Sequence, residues 1–158
     1  DKNDDDYKKR DLSNVNFDLY DAIVISDYNK GFISEEDIIF ISENHDCVFM
    51  DTKKILGSWC DKISYIKINI SEYKKTKHNI TPHIEKKLII TLGSQGCKYN
   101  DIIYSVPRVD IKDASGAGDT FVSGLVVNYI QTQNIEESII FANECATNVV
   151  QKRGVGVA

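Results

Sequence analysis

The sequence predicts an α/β fold organised on a mainly parallel sheet, and three observations predict it. Short apolar runs at Ala22-Ile23-Val24-Ile25-Ser26, Cys47-Val48-Phe49-Met50, Tyr65-Ile66-Lys67-Ile68 and Leu88-Ile89-Ile90-Thr91-Leu92 alternate with segments that carry helix signals. That alternation buries parallel strands beneath crossover helices. Each run also ends in polar or charged residues, and ligands of open α/β sheets bind beyond the carboxyl ends of the strands. Finally, the stretch Asp113-Ala114-Ser115-Gly116-Ala117-Gly118-Asp119-Thr120-Phe121 feeds directly into Phe121, Val122, Leu125, Val126, Tyr129 and Ile130 at helical spacing, a glycine loop opening a buried helix.

Taken in order, residues 1–20 are polar, with few apolar anchors, and read as an arm or the remnant of something longer, ahead of a domain over residues 21–158. The first strand, continuous in β-branched residues, is expected to be buried on both faces and to present Asp27 and Lys30 at its exit. Ser34-Glu35-Glu36-Asp37 supplies a cap and an acidic first turn for a helix carrying Ile38, Ile39 and Ile41. The second strand closes on Asp51-Thr52-Lys53-Lys54, and the third exits through Asn69-Ile70-Ser71-Glu72 into a short helix before a turn at Thr81-Pro82. The fourth strand ends in Gly93-Ser94-Gln95-Gly96, a tight turn, and Cys97-Lys98-Tyr99 returns antiparallel into Asp101–Val106. A last helix opens at Asn134 and carries Ile139, Ala142, Cys145 and Val149.

At 158 residues the chain is long enough to bury about 68–70% of its unfolded surface. A net charge of −5 argues against a nucleic-acid or anionic-membrane surface as its main partner. The four cysteines, Cys47, Cys60, Cys97 and Cys145, have no close spacing and mostly sit in or beside apolar runs. They read as buried reduced thiols, which points to the cytoplasm. No spanning apolar stretch or signal-peptide pattern is seen. His45, His78 and His83 lie in polar surroundings away from the glycine loop and are not assigned a role.

The glycine loop carries the chemistry. The first turn of a helix leaves backbone N–H groups without intrahelical acceptors, and glycine lets an anion approach them without a Cβ in the way. Asp119 stands at the same helix start. A carboxylate to take a hydroxyl proton, beside donors for phosphoryl oxygens, is what phosphoryl transfer asks of a protein. The alternative is an acid that complements the helix dipole, worth about 0.3–1 kcal/mol.

Asp113–Phe121 resembles the C-terminal signature of the ribokinase (PfkB) family of sugar kinases. The resemblance implies a ribokinase-like, mainly parallel doubly wound sheet with a C-terminal antiparallel hairpin. It also implies Asp119 as the base that activates the sugar hydroxyl, with the amides of Gly116, Ala117 and Gly118 as the anion hole. ATP and Mg²⁺ are the implied cofactors. Asn69-x-x-Glu72 is similar to the family's element that positions magnesium and the phosphates through water, and a hard cation that keeps its waters needs only one or two carboxylates there. The same residues would otherwise be a helix start. Thr91-x-Gly93-x-x-Gly96 resembles the nucleotide-side loop, or is a plain hairpin turn. Ala142-Asn143 resembles the lining of the adenine pocket, with a solvated asparagine as the alternative. The family's monovalent-cation site, for K⁺, would use Asp113 and the carbonyls of Arg153–Val155.

Within the family, Ser26-Asp27-Tyr28-Asn29-Lys30-Gly31, Asp51-Thr52-Lys53 and Asn69–Tyr73 look most like the heptose-7-phosphate kinase domain of bifunctional ADP-heptose synthases. Lys30 and Lys53, with Asp27 and Asp51, are thereby candidates for phosphate and substrate contacts, against a reading as surface residues at strand ends. The resemblance covers about residues 15–158 and corresponds to the C-terminal half of such a kinase. It omits the N-terminal half with its lid, and any nucleotidyltransferase domain. Half a doubly wound sheet leaves an open strand edge, so a covering second copy, a complementary N-terminal half or further chain is expected. The alternatives to a kinase for a phosphorylated heptose are a nucleotide-binding or assembly module without catalysis, and a kinase of the same fold for another sugar or nucleoside.

Overall fold

The protein was analysed as a computed structural model that describes residues 12–152. The chain divides into two compact units, Asp1–Ile89 and Ile90–Ala158. Among the described residues six strands form a sheet in the order β1-β2-β3-β4-β5-β6, each beside its neighbour in sequence. Half of a doubly wound sheet winds in one direction, and the order here does not reverse.

In the first unit, β1 (Ile23–Asp27), β2 (Val48–Thr52) and β3 (Tyr65–Asn69) pair in parallel, with Asp27 opposite Thr52 and Asp51 opposite Lys67. The crossover between β1 and β2 is α1 (Glu35–Asn44). It starts where the sequence predicts, because Ser34 Oγ accepts the Asp37 amide at 3.2 Å and Asp37 Oδ2 accepts the Ser34 amide at 2.9 Å, a reciprocal cap of about 1 kcal/mol. Ile38 and Ile41 of α1 are buried with Val48, Phe49 and Met50 of β2. β2 is closed on both faces. β1 is not: Ile25 and Asp27 are buried, but Val24 is 45% exposed, so the expectation of two buried faces fails there because one face has no covering helix among the described residues.

Residues 1–11 lie outside the described region, but Phe17 is buried and its ring meets Phe40 edge-on at 6.1 Å. The segment before β1 is therefore anchored. α2 (Ile70–Thr76) follows β3 directly. The predicted turn at Thr81-Pro82 is instead the start of α3 (Pro82–Glu85), with Thr81 Oγ1 accepting the Ile84 amide and Pro82 in the first turn. Proline at a first helical position loses no hydrogen bond and arrives with helical φ. β4 (Leu88–Thr91) is a buried run.

In the second unit, β5 (Cys97–Tyr99) and β6 (Ile102–Tyr104) pair antiparallel through Asn100 and Asp101, both at positive φ, 46° and 64°. Two left-handed residues twist a two-residue hairpin in the same sense as its strands. α4 (Ala117–Thr132) buries Phe121, Val122, Leu125 and Val126. Gln133 and Asn134 then turn the chain into α5 (Ile135–Val150), whose first amides are capped by Asn134 Oδ1. Among the described residues no helix is long and apolar enough to cross a membrane.

Candidate functional site

The glycine loop is fixed from below by the end of α5. The Val150 carbonyl accepts the amides of Lys112 at 2.8 Å and Asp113 at 3.2 Å. Asp113 then folds the loop by accepting the Ser115 amide at 2.8 Å, a short Asx turn. Gly116, at φ +76°, is the N-cap of α4 with no side-chain cap. Only a residue without Cβ takes that conformation freely. Thr120 donates to the Gly116 carbonyl at 2.9 Å and Ala117 to the Ala114 carbonyl at 3.3 Å. The Ala117 amide, read from sequence as part of an anion hole, is thus already turned toward the loop, which leaves the Gly118 amide in the first turn without an intrahelical acceptor. Asp119 follows as the acid of that turn, with its side chain exposed.

Beside this helix start lies a cavity of about 480 Å³ bordered by Ala114 and Ala117, the Gly93-Ser94-Gln95 turn, residues 106–109, Ile111 and one side of α5. Its size suits a nucleoside-scale ligand. Gly93, at φ +61°, lines it. Gly96 does not border it. A Cβ on Gly96 would stand 2.0 Å from the Tyr104 carbonyl oxygen, and its φ is +91°. That glycine exists for the close approach of the hairpin. Thr91 ends β4 ahead of the turn and is half-buried. Asn143, neither solvated nor free, is 7% exposed and donates to the same Tyr104 carbonyl at 2.9 Å. It borders the cavity while tying β6 to α5.

Asn143 also bonds the buried Cys97, whose thiol is pushed up from 9.0 to about 12, chiefly by desolvation. Tyr99 and Tyr104 nearby are raised too, again mainly by burial. The folded state keeps the Cys97 proton that the unfolded chain releases near pH 9. This stabilisation is therefore whole below pH 9 and is lost as pH rises toward 12, with a limit of about 4 kcal/mol. Thermal unfolding should move to lower temperature across pH 9–12 and move less in a Cys97→Ala variant; parallel curves would show that the thiol does not titrate with folding.

In the first unit the strand ends carry a separate network. Asp27 is buried and fully partnered: the Asn29 amide donates to Oδ1 at 2.9 Å, Thr52 Oγ1 donates to Oδ2 at 2.9 Å, and Lys54 Nζ lies 3.2 Å from Oδ2. Lys67 is buried with its Nζ 2.8 Å from Asp51 Oδ2. Removing one partner of such a pair costs about 3–5 kcal/mol because a charge is left buried. Asp27 and Asp51 therefore hold the strand ends together, and Thr52, Lys54 and Lys67 join them there, three residues the sequence reading did not single out. A charged residue inside the apolar run Ile66-Lys67-Ile68 was the available signal for Lys67. Lys53 and Lys30 are exposed, and Lys53 Nζ sits 4.3 Å over the Tyr28 ring.

Asn69 and Glu72 form a reciprocal cap on α2. Asn69 Oδ1 accepts the Ser71 and Glu72 amides at 2.9 Å each, and Glu72 Oε2 accepts the Asn69 amide at 2.7 Å. The cap uses one carboxylate oxygen of Glu72, and the other suits a magnesium-bound water, since Mg²⁺ prefers oxygen donors and retains its waters. No group of three or more potential metal ligands occurs among the described residues. The carbonyls of Arg153–Val155 expected beside Asp113 lie outside the described residues.

Comparison with known proteins matches residues 43–158 to the pfkB family carbohydrate kinases. The chain belongs to this family. Among curated relatives, bifunctional protein HldE of Helicobacter acinonychis is 29% identical over 163 residues, covering 87% of this chain and 35% of the relative. Fructokinase-1 of rice is 39% identical over 80 residues, 44% of this chain. Among solved structures, ribokinase from Thermotoga maritima superposes with a TM-score of 0.68 at 19% identity, covering 92% of this chain and 56% of that one. Ribokinase of Arabidopsis thaliana complexed with ribose and ATP gives 0.67 at 21% identity, covering 85% and 51%. The chain thus has the ribokinase-like fold and spans about a third of the curated HldE relative and about half of these solved chains.

Proposed function

We propose that this pfkB-family chain carries the nucleotide site and catalytic base of an ATP-dependent kinase acting on a sugar hydroxyl, with the 1-hydroxyl of a heptose 7-phosphate as the favoured acceptor. The observation that carries the reading is the helix start itself, where the uncapped first turn of α4, which carries Asp119, adjoins a nucleoside-sized cavity through Ala117. Asp119 takes the hydroxyl proton as the acceptor oxygen attacks, and the amides of Gly116 and Gly118 face the negative charge of the phosphoryl group. Bound Mg²⁺ would neutralise phosphate charge, held through water by Glu72 beside Asn69. Asp113 is the side-chain candidate for a monovalent cation, K⁺. The Gly93 turn and Asn143 shape the nucleoside cavity, while Thr91 and Gly96 support that turn.

The heptose assignment rests on the likeness of the Asp27–Lys30 and Asp51–Lys53 stretches and on the HldE relatives. Exposed Lys30 and Lys53 are the cations proposed for the sugar phosphate or nucleotide phosphates. Four free cysteines suit a reducing cytoplasm. The open face at β1 supports a covering element, either a second copy or a complementary N-terminal half.

A thermal-shift titration with MgATP and MgADP tests the site. At a hundredfold excess over Kd the wild type should rise by about 5–11 °C. Gly118→Val should lose the rise while remaining folded, because a helical Cβ points back toward the N-terminus and would cover the first-turn amides. No saturable rise in the folded wild type would move the reading to an assembly module without catalysis.

A further inference from the structure

The cavity owes its shape to a bowed segment anchored twice on α5. At one end the Tyr104 carbonyl accepts from Asn143, and at the other Lys112 and Asp113 donate to the Val150 carbonyl. Along the helix these anchors lie about 10 Å apart. The intervening chain could span about 26–29 Å if extended. It must therefore arch away from α5, and the cavity is the space beneath the arch. The end at Val150 adjoins Ala114 and the start of α4, where an anion belongs. Beneath the rest of the arch the lining is mostly apolar, with Val106, Pro107, Val109 and Ala146 beside the polar Asn143 and Thr147.

Arg108 stands at the middle of this arch. It borders the cavity, is exposed, and has no ion-pair partner among the described residues. Among the described residues no acidic side chain borders the cavity, and Arg108 is the one cation that does. The Asn143 amide is tied by its Nδ2 to the Tyr104 carbonyl, so it is held at the wall and does not cover the face of a base. A guanidinium beside an apolar slot is suited to lie over an aromatic ring. We propose that Arg108 is a binding residue that closes over the face of the nucleobase, so that the base is held by cation–π contact above an aliphatic floor. This rests on the nucleotide site proposed above and adds a residue to it.

Calorimetric titration of the full chain with adenosine, AMP and ADP tests both. Arg108→Ala should weaken binding about five- to thirtyfold, by the same factor for all three ligands and with little change between low and high salt. Arg108→Lys should recover part of the loss, and Arg108→Gln little of it. Because the side chain is exposed, the variants should keep the wild-type melting temperature without ligand. Unchanged affinity in Arg108→Ala overturns the proposal, and so does a loss that grows with phosphate number and fades in salt, which would place the guanidinium on the phosphates. If the wild type binds none of the three, the nucleotide site itself fails, an outcome distinct from either.

Discussion

Replacing Asp119 with Asn is expected to lower kcat for phosphoryl transfer by about 10²–10⁴ while leaving nucleotide affinity near wild type. The change keeps the size and shape of the side chain and removes its negative charge, and with it the ability to accept a proton. Asp119 is the acid of the first turn of α4 and its side chain is exposed, so no buried charge is created or left unpaired. The favourable placement of a negative charge at a helix N-terminus contributes about 0.3–1 kcal/mol, or a few degrees of melting temperature. The two readings of this residue therefore separate. A base gives a large fall in kcat with a small change in melting temperature, whereas an acid that only complements the dipole gives the small change alone. The assay uses MgATP with heptose 7-phosphate as acceptor, and turnover of Asp119→Asn within threefold of wild type would remove it from the mechanism.

The parts of this molecule that were legible in the sequence are those fixed by local physics. Ser34 with Asp37 cap α1 because their spacing brings each side chain onto the other's amide. The same reciprocity at Asn69 and Glu72 shows why a motif can be recognised and still have two readings, since a cap and a metal-water ligand ask for the same residues at the same spacing. The helix running on from Gly118 followed from periodicity, and the strands from their apolar runs. What stayed hidden depended on register between distant segments. Asp27 looked like an exposed acid at a strand exit, but parallel pairing places it opposite Thr52, where the hydroxyl and Lys54 close over it. Lys67 becomes a buried partner of Asp51 only once β2 and β3 are aligned. Arg108 lies in a stretch without periodicity, and its place at the cavity comes from two anchors on a helix more than thirty residues later.

Gly96→Ala is expected to be among the most damaging single substitutions in the second unit. Two costs combine at this position. The backbone sits at φ +91° and ψ −129°, a region essentially confined to glycine, where another residue costs about 1–3 kcal/mol. In addition, a Cβ would lie 2.0 Å from the Tyr104 carbonyl oxygen and 3.1 Å from its carbon. Backbone cannot rotate out of the way as a flexible side chain can, so relief requires β6 to move from the Gly93–Gly96 turn. That movement would also pull the Tyr104 carbonyl from Asn143 Nδ2 and strand a buried amide, a further 1–3 kcal/mol or so. The sum is a loss of about 3–5 kcal/mol, a large share of the 5–15 kcal/mol that holds a typical domain folded. Gly93→Ala is the control: its φ of +61° carries strain, but a Cβ there meets nothing within 4 Å, so its cost should stay near 1 kcal/mol. Urea unfolding of the two variants decides the matter. Equal midpoints would mean that the hairpin gives way freely and that Gly96 is conformational only; a Gly96→Ala midpoint far below that of Gly93→Ala would establish the contact with Tyr104 as the point on which the cavity wall is hung.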